Sequence, residues 1–244
     1  MAIIYEPKGR ANEYCKLAVN LYKGCSHGCV YCYAPQATMT NRDEFYNNPV
    51  PRKNILELLK KECSSNCGNG QYVLLSFSSD PYQQINEKYG ITREAIKLLK
   101  SANYRIVILT KGGGRAEKDF DILDKNDYIG ATLTFLNKSD SLLWEPNAAP
   151  PEERIEMLIK AKQAGIGTWA SLEPVIDPEQ TLEIIRLTHE FVDIYKVGKL
   201  NYHPLEKTIN WAKFAEDVKR ELTRFQCRFY IKNDLRKYIQ RTAF

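Results

Sequence analysis

Only three histidines occur among the 244 residues, and none stands in an HExxH pair or a Ser-His-Asp arrangement. Hydrolase chemistry of the metalloprotease or serine-nucleophile kind therefore has little to stand on. Neither GxGxxG nor GxxxxGKS is present, so Gly112-Gly113-Gly114 reads as a flexible loop rather than a phosphate cradle. No apolar run approaches the roughly 18 residues that cross a bilayer, and Met1 to Pro7 lacks both a basic n-region and an apolar h-region. A cytoplasmic protein with no membrane partner is the expectation. Like charges never run to five in a row, and 35 Lys+Arg against 30 Asp+Glu leave +5. That is a faint hint of an anionic partner, far from a nucleic-acid-binding stripe. Gly and Pro, at 13 and 11 residues, are too sparse for a fibrous or disordered chain, and 43% apolar with 27% charged is ordinary globular usage. A chain of this length buries about 70% of its unfolded surface on folding, so any metal would serve chemistry rather than hold a core.

What is present falls into two patterns. The first is an alternation of apolar β-branched runs with segments of helical period, the signature of βα units around a parallel sheet. The runs are Leu17 to Leu21, Tyr72 to Phe77, Arg105 to Thr110, Ile129 to Thr134, Gly167 to Leu172 and Asp193 to Val197, with Phe229 to Lys232 as a further late strand. Between them, Thr92 reads as the N-cap of one helix, Pro151 opens a second that stops at Gly165, Asp177-Pro178-Glu179 opens a third, and Trp211 to Leu222 forms a late one. No linker or composition break divides the chain. The expected architecture is α/β: one domain over residues 1–244, a partial (β/α)6 TIM-type barrel with its core over about 15–202 and a helical and strand extension over about 203–244. In such barrels the βα loops at the strand C-terminal ends build the active site. That selects Ser78-Ser79-Asp80-Pro81, Thr110-Lys111, Thr132-Leu133-Thr134, Ser171-Leu172-Glu173-Pro174 and Lys196 to Asn201.

The second pattern is the cysteines. Three of the seven, Cys25, Cys29 and Cys32, crowd into a CxxxCxxC stretch directly after the first strand, between the turn-permitting Gly24 and Gly28. In a reducing compartment such clustering points to metal or redox chemistry before disulfides. A cubane iron–sulfur cluster held by three cysteines keeps one iron open, whereas a closed structural zinc site uses four protein ligands. Cys63 and Cys67 have the wrong spacing for the second half of a zinc ribbon and read as solvent-side thiols. Cys15 and Cys227 read as small buried residues. His27 is expected behind the ligands or at solvent.

These residues carry a resemblance. Three cysteines at this spacing with Tyr31 before the last are similar to the radical S-adenosylmethionine (SAM) superfamily, and GCSHGCVYCYA resembles its spore-photoproduct-lyase-like branch. Ser76 to Tyr82, Ile108 to Lys111, Glu145-Pro146, the turn at Ala164-Gly165-Ile166, Ser171 to Pro174 and Gly198 to Asn201 resemble motifs of that branch in the same order. The resemblance implies a [4Fe-4S] cluster on Cys25, Cys29 and Cys32, and SAM chelated to the remaining iron. Its cleavage by one electron from a reductase, flavodoxin or ferredoxin would yield a 5′-deoxyadenosyl radical that takes hydrogen from an inert C–H bond. It further implies Tyr31 against adenine, Ser78, Ser79 and Asp80 near the amino group of SAM, Lys111 near its carboxylate, and Thr134 or Glu173 near the ribose hydroxyls. The substrate is open, with nucleic acid among the candidates. An electron-transfer or zinc module is the alternative reading. One position departs from the branch. In the spore lyase a cysteine two residues before the serine of the Ser-Asp pair returns hydrogen to the product radical, and Phe77 stands there. Phenylalanine cannot donate hydrogen in that way, which leaves Tyr33, Tyr82 or Cys15 as substitutes if any faces the cavity. Trp144, Trp169 and Trp211 read as core or mouth residues, and Lys232, Arg236, Lys237 and Arg241 as one solvated helix face.

Overall fold

The computed structural model describes residues 2–239; Arg241 lies outside the described residues. The strands are β1 (Leu17–Val19), β2 (Tyr22–Lys23), β3 (Val50–Pro51), β4 (Tyr72–Leu75), β5 (Arg105–Thr110), β6 (Tyr128–Thr132), β7 (Gly167–Val175), β8 (Ile194–Lys199) and β9 (Arg228–Ile231). The α-helices are α1 (Ala34–Ala37), α2 (Arg42–Asn47), α3 (Ile55–Ser65), α4 (Ile85–Tyr89), α5 (Ile91–Ser101), α6 (Lys138–Trp144), α7 (Pro151–Gln163), α8 (Pro178–Thr188), α9 (Trp211–Arg224) and α10 (Asn233–Arg236).

Seven strands form one parallel sheet in the order β1-β4-β5-β6-β7-β8-β9, and β2 pairs antiparallel with β3. The sheet is open: β1 and β9 are its edges. All seven expected runs are strands, and the late one is the seventh member of the sheet, so the expected extension contributes directly to it. The central strands bury their helix-facing side completely, while Val107 and Leu109 on the other face of β5 are half-buried and line cavities in the lumen. Ile106, Ile108, Ile129 and Ala131 on β5 and β6 are fully covered, as parallel strands under helices require. Burying a Leu or Ile side chain of this kind contributes about 1.5–3 kcal/mol.

Local chemistry explains the helix ends. Asp177 caps α8 by accepting the N–H groups of Glu179 (2.9 Å) and Gln180 (3.1 Å), and Pro151 opens α7 with Glu152 and Glu153 in its first turn. Thr92 is not the cap of α5. That helix starts two residues earlier than such a cap requires, at Ile91 after Gly90 in a left-handed conformation, and the buried Thr92 hydroxyl donates to Pro81 O at 2.5 Å instead.

The gap between the sheet edges is crossed by the N-terminal segment. Arg10 pairs with Asp234 at 3.0 Å, Glu13 accepts from Tyr230 Oη (3.0 Å) and Asn233 N (2.8 Å), and Lys196 Nζ donates to Glu13 O at 3.1 Å. Tyr5 then bridges antiparallel to Ala18 on β1. This segment therefore straps β1 to the β8–β9 edge. In the lumen, Tyr14 packs with Phe77 and Trp169, ring centroids 6.0 Å apart in both pairs.

Candidate active site

A cavity of about 580 Å³ opens at the C-terminal ends of the strands. Cys25, Cys29, Tyr31, Cys32, Ser78, Ser79, Asp80, Lys111 and Glu173 all line it, as do Tyr33 and Phe77. Thr134 does not. Its hydroxyl sits 3.3 Å from Tyr31 Oη behind the wall, and Thr132, two residues earlier, faces the cavity in its place.

The cysteine loop is held by its backbone. Gly24 has φ +76°, and a Cβ there would lie 2.6 Å from Phe45 O, so only glycine fits this turn. Cys25 N–H donates to that same Phe45 carbonyl at 2.9 Å. Buried Gln83 accepts from Ser26 N (2.9 Å) and donates to Gly24 O (3.2 Å), while Arg42 reaches Val30 O and Cys32 O, both at 3.1 Å, and Tyr46 donates to Cys29 O at 2.9 Å. Four side chains from outside the motif thus fix the loop, counting Asn147, which donates to Ser26 O at 3.0 Å. Burial pushes the Cys29 thiol up to about 12, and Cys25 and Cys32 are raised as well. Thiols in this setting become ligands only when a metal displaces their protons.

Asp80 was expected to hold an amino group, but protein donors already occupy it. Oδ1 accepts from Tyr82 N (2.8 Å) and Thr110 Oγ1 (2.6 Å), Oδ2 accepts from Lys111 N (2.7 Å), and His27 Nε2 lies 3.1 Å from Oδ2 at an angle poor for hydrogen bonding. Burial opposes its charge, yet the His27 imidazole and these hydrogen bonds hold the carboxyl well below its usual range. Asp80 is therefore a brace tying β4, β5 and the cysteine loop together. His27 is buried rather than solvated, with Nδ1 3.2 Å from Asn147 O. Beside Asp80, the Ser79 hydroxyl is buried without a partner, and Ser78 and Lys111 form no side-chain hydrogen bond or ion pair among the described residues. Lys111 Nζ sits over the Tyr31 ring at 5.5 Å. Burial works against its charge, but the neighbouring Cys29 and Glu145 more than offset that and raise it.

Tyr31 Oη donates to Glu145, whose other oxygen pairs with Arg154 at 2.6 Å; both ionic side chains are at most 1% exposed. Arg154 also donates to Ala149 O (2.6 Å) and Thr132 O (3.0 Å), so the pair is fully embedded. The Tyr31 ring is locked from behind. Glu173, at the far wall, accepts from Tyr14 Oη and from Lys232 Nζ at 2.6 Å. Lys232 corrects the expectation of a solvated basic face: its side chain is 3% exposed and it lines the cavity. Lys196 also departs from expectation, since it lies in the lumen towards the opposite end while Lys199, Leu200 and Asn201 face this cavity. Of the proposed substitutes for the missing cysteine, Tyr33 alone faces the cavity; Tyr82 is spent on Asp119 at 3.0 Å and Cys15 lies below. Ser76, at φ +76°, bends the chain after β4, and Asn20 catches the turn by accepting from Phe77 N (2.9 Å) and Ser78 N (3.1 Å).

The donor set suits a cluster. No fourth cysteine lines the cavity, and among the described residues no three His, Cys, Asp or Glu side chains are gathered as ligands of one ion. Three soft thiols lining one cavity are the donor type that iron–sulfur clusters take.

Comparison with known proteins decides the family. The profile of the Radical SAM superfamily matches residues 19–192. The chain belongs to the radical SAM superfamily. It is 28% identical over 190 residues to protein MJ0683 of Methanocaldococcus jannaschii, covering 76% of this chain and 71% of that one. It is 31% identical over 171 residues to Rv2578c of Mycobacterium tuberculosis, covering 66% and 50% respectively. ORF301 of Acidianus two-tailed virus is 25% identical over 187 residues, 72% of this chain and 61% of that one. The chain thus spans only 61% and 50% of the viral and mycobacterial relatives. Its fold matches spore photoproduct lyase complexed with dinucleoside spore photoproduct, with TM-score 0.70 and 13% identity over 93% of this chain and 78% of that one. Streptococcus suis SuiB bound to S-adenosylmethionine gives TM-score 0.65 and 15% identity over 93% and 53%.

Proposed function

We propose that this chain is one radical SAM domain over residues 1–244 that holds a [4Fe-4S] cluster on Cys25, Cys29 and Cys32, binds SAM in the upper cavity and abstracts hydrogen from a substrate. The observation that carries this reading is the meeting, in one cavity, of three thiols, the unpartnered Ser79 hydroxyl and an unpaired Lys111. Cys25, Cys29 and Cys32 would hold the cluster, which with bound SAM would supply one-electron radical chemistry. The chain's own residues bind and orient. Ser78 and Ser79 offer acceptors to an ammonium, Lys111 offers a cation to a carboxylate, and the Glu145–Arg154 pair keeps the Tyr31 ring in place as a wall. Glu173, held by Lys232, keeps an acceptor at the opposite wall for ribose hydroxyls. A cavity roofed by the strap and by residues 199–202 limits access of water and stray hydrogen donors. The electron comes from an external reductase, flavodoxin or ferredoxin.

A nucleic-acid substrate is the reading favoured at the rim, where the exposed Tyr202 ring lies 5.1 Å from the Arg10 guanidinium, itself paired with Asp234, and Lys8 lines the same cavity. An aromatic face with adjacent cations suits a base and its phosphate.

The test is anaerobic reconstitution with iron and sulfide. The reading predicts a brown protein that releases 5′-deoxyadenosine from SAM and dithionite, faster when the right DNA or RNA is added. A colourless protein that binds zinc in place of iron would overturn it in favour of a structural metal module.

A further inference from the structure

The lumen holds a second cavity, of about 550 Å³, at the N-terminal ends of the strands. In barrels of this kind that end serves stability, and side chains fill it. Here it is left hollow, and its lining is selective in chemistry. Tyr72, Tyr128 and Trp169 form aromatic walls; Tyr72 and Tyr128 stand with centroids 5.9 Å apart, and Trp169 is fixed by donating Nε1–H to Ile108 O at 2.8 Å. No aspartate or glutamate lines the cavity, whereas Lys16, Lys196 and Arg228 do. None of these three forms an ion pair with the described residues. Lys196 is half-buried and spends two of its three N–H donors on the carbonyls of Glu13 and Tyr14, leaving one. Lys16 and Arg228 are exposed at the rim.

We infer that this lower cavity binds a planar aromatic anion, a ring system carrying a carboxylate, sulfonate or phosphate, with the ring among Tyr72, Tyr128 and Trp169 and the acid group facing Lys196, Lys16 and Arg228. The volume lies within the range of small-molecule sites, and aromatic walls with a few placed polar groups are their usual composition. Burial lowers the Lys196 amine to about 8, a cost that a bound anion would offset. The site is separate from the proposed SAM cavity, with Tyr14 forming part of both linings.

The test compares two fluorescent probes of nearly identical ring structure, anionic 8-anilinonaphthalene-1-sulfonate and uncharged N-phenyl-1-naphthylamine. The folded wild-type protein should bind the sulfonate about tenfold or more tightly than the amine. A K16Q/R228Q double variant, altered only at the rim, should lose that preference by severalfold, and V107W, which fills the cavity, should lose both probes. If the preference is unchanged in K16Q/R228Q, the anion binds elsewhere and the inference fails. It fails equally if the wild type binds neither probe, or if folded V107W binds both as well as wild type. Should V107W not fold, the double variant decides alone.

Discussion

The two ends of the sheet enclose cavities of nearly equal size, about 580 and 550 Å³, from opposite materials. The upper one is built by loops: cysteines, hydroxyls and charges that leave the strand ends, each steadied by a buried partner such as Asp80, Gln83 or Arg154. The lower one is built from strand side chains and the strap, with rings as walls and cations that have no acid to answer them. An enclosing sheet thus supplies space at both ends, and the loops decide which space gathers thiols, hydroxyls and charges. Where the acids sit makes the same point. Asp80, Glu145 and Glu173 all border the upper cavity or brace its walls, so its cations are answered or close to negative groups; Lys196 below forms no ion pair among the described residues and has only the Glu13 carboxylate, itself bonded to Tyr230 and Asn233, nearby.

Variants should separate the two ends. The largest effect is expected from Cys29→Ala, which should abolish the brown colour and lower 5′-deoxyadenosine release by at least about a hundredfold, two orders of magnitude costing roughly 2.7 kcal/mol in barrier; metal analysis and product assay check this, and binding of the aromatic sulfonate should survive. Next is Glu145→Ala, which strands the Arg154 guanidinium in the core and should cost about 3–5 kcal/mol in urea unfolding. A loss below about 1 kcal/mol would show that this pair is not the support of the upper wall. Gly130→Ala acts on the other end: its Cβ would lie 2.4 Å from the Trp169 ring, which Ile108 O holds in place. The expected cost is about 1–3 kcal/mol, with weaker sulfonate binding and little change in iron content. The last effect is the pH dependence of Lys196. Its amine titrates near 8 in the folded chain against 10.5 in the unfolded one, so between these values the unfolded chain carries more protons and stability rises with pH. Lys196→Met should flatten that rise, as measured by urea midpoints across the window.

Much of the upper site was legible because its residues lie in contiguous segments. Cys25 to Cys32, Ser78 to Asp80 and Lys111 each follow a recognisable strand, and a parallel sheet brings all strand C-terminal ends to one side. What escaped notice depends on long-range contacts. Asp80, at a strand end, reads as a partner for an amino group through the family resemblance, yet Thr110 and two backbone N–H groups occupy it, with the His27 imidazole alongside. Lys232 reads as a surface cation among basic neighbours, yet it is the counter-charge of Glu173, 59 residues away in sequence. Asn20, Arg42, Gln83 and Asn147 carried no motif of their own, although Gln83 closes the SFSSDPYQ stretch and could have been suspected there. The strap was invisible for a related reason. Residues 8–16 have no periodic pattern, and their long-range bonds run to β4, β7, β8, β9 and α10. The lower cavity depends on which strand side chains turn inward, and fully apolar parallel strands give no alternation from which to read that.

The most direct test of the account is the electron paramagnetic resonance spectrum of the dithionite-reduced, anaerobically reconstituted protein before and after SAM is added. A reduced [4Fe-4S] signal that changes on SAM addition is the expected result, because a cluster on Cys25, Cys29 and Cys32 would have one iron free to take SAM. A signal unaltered by SAM, or a protein that takes up no iron, would contradict it.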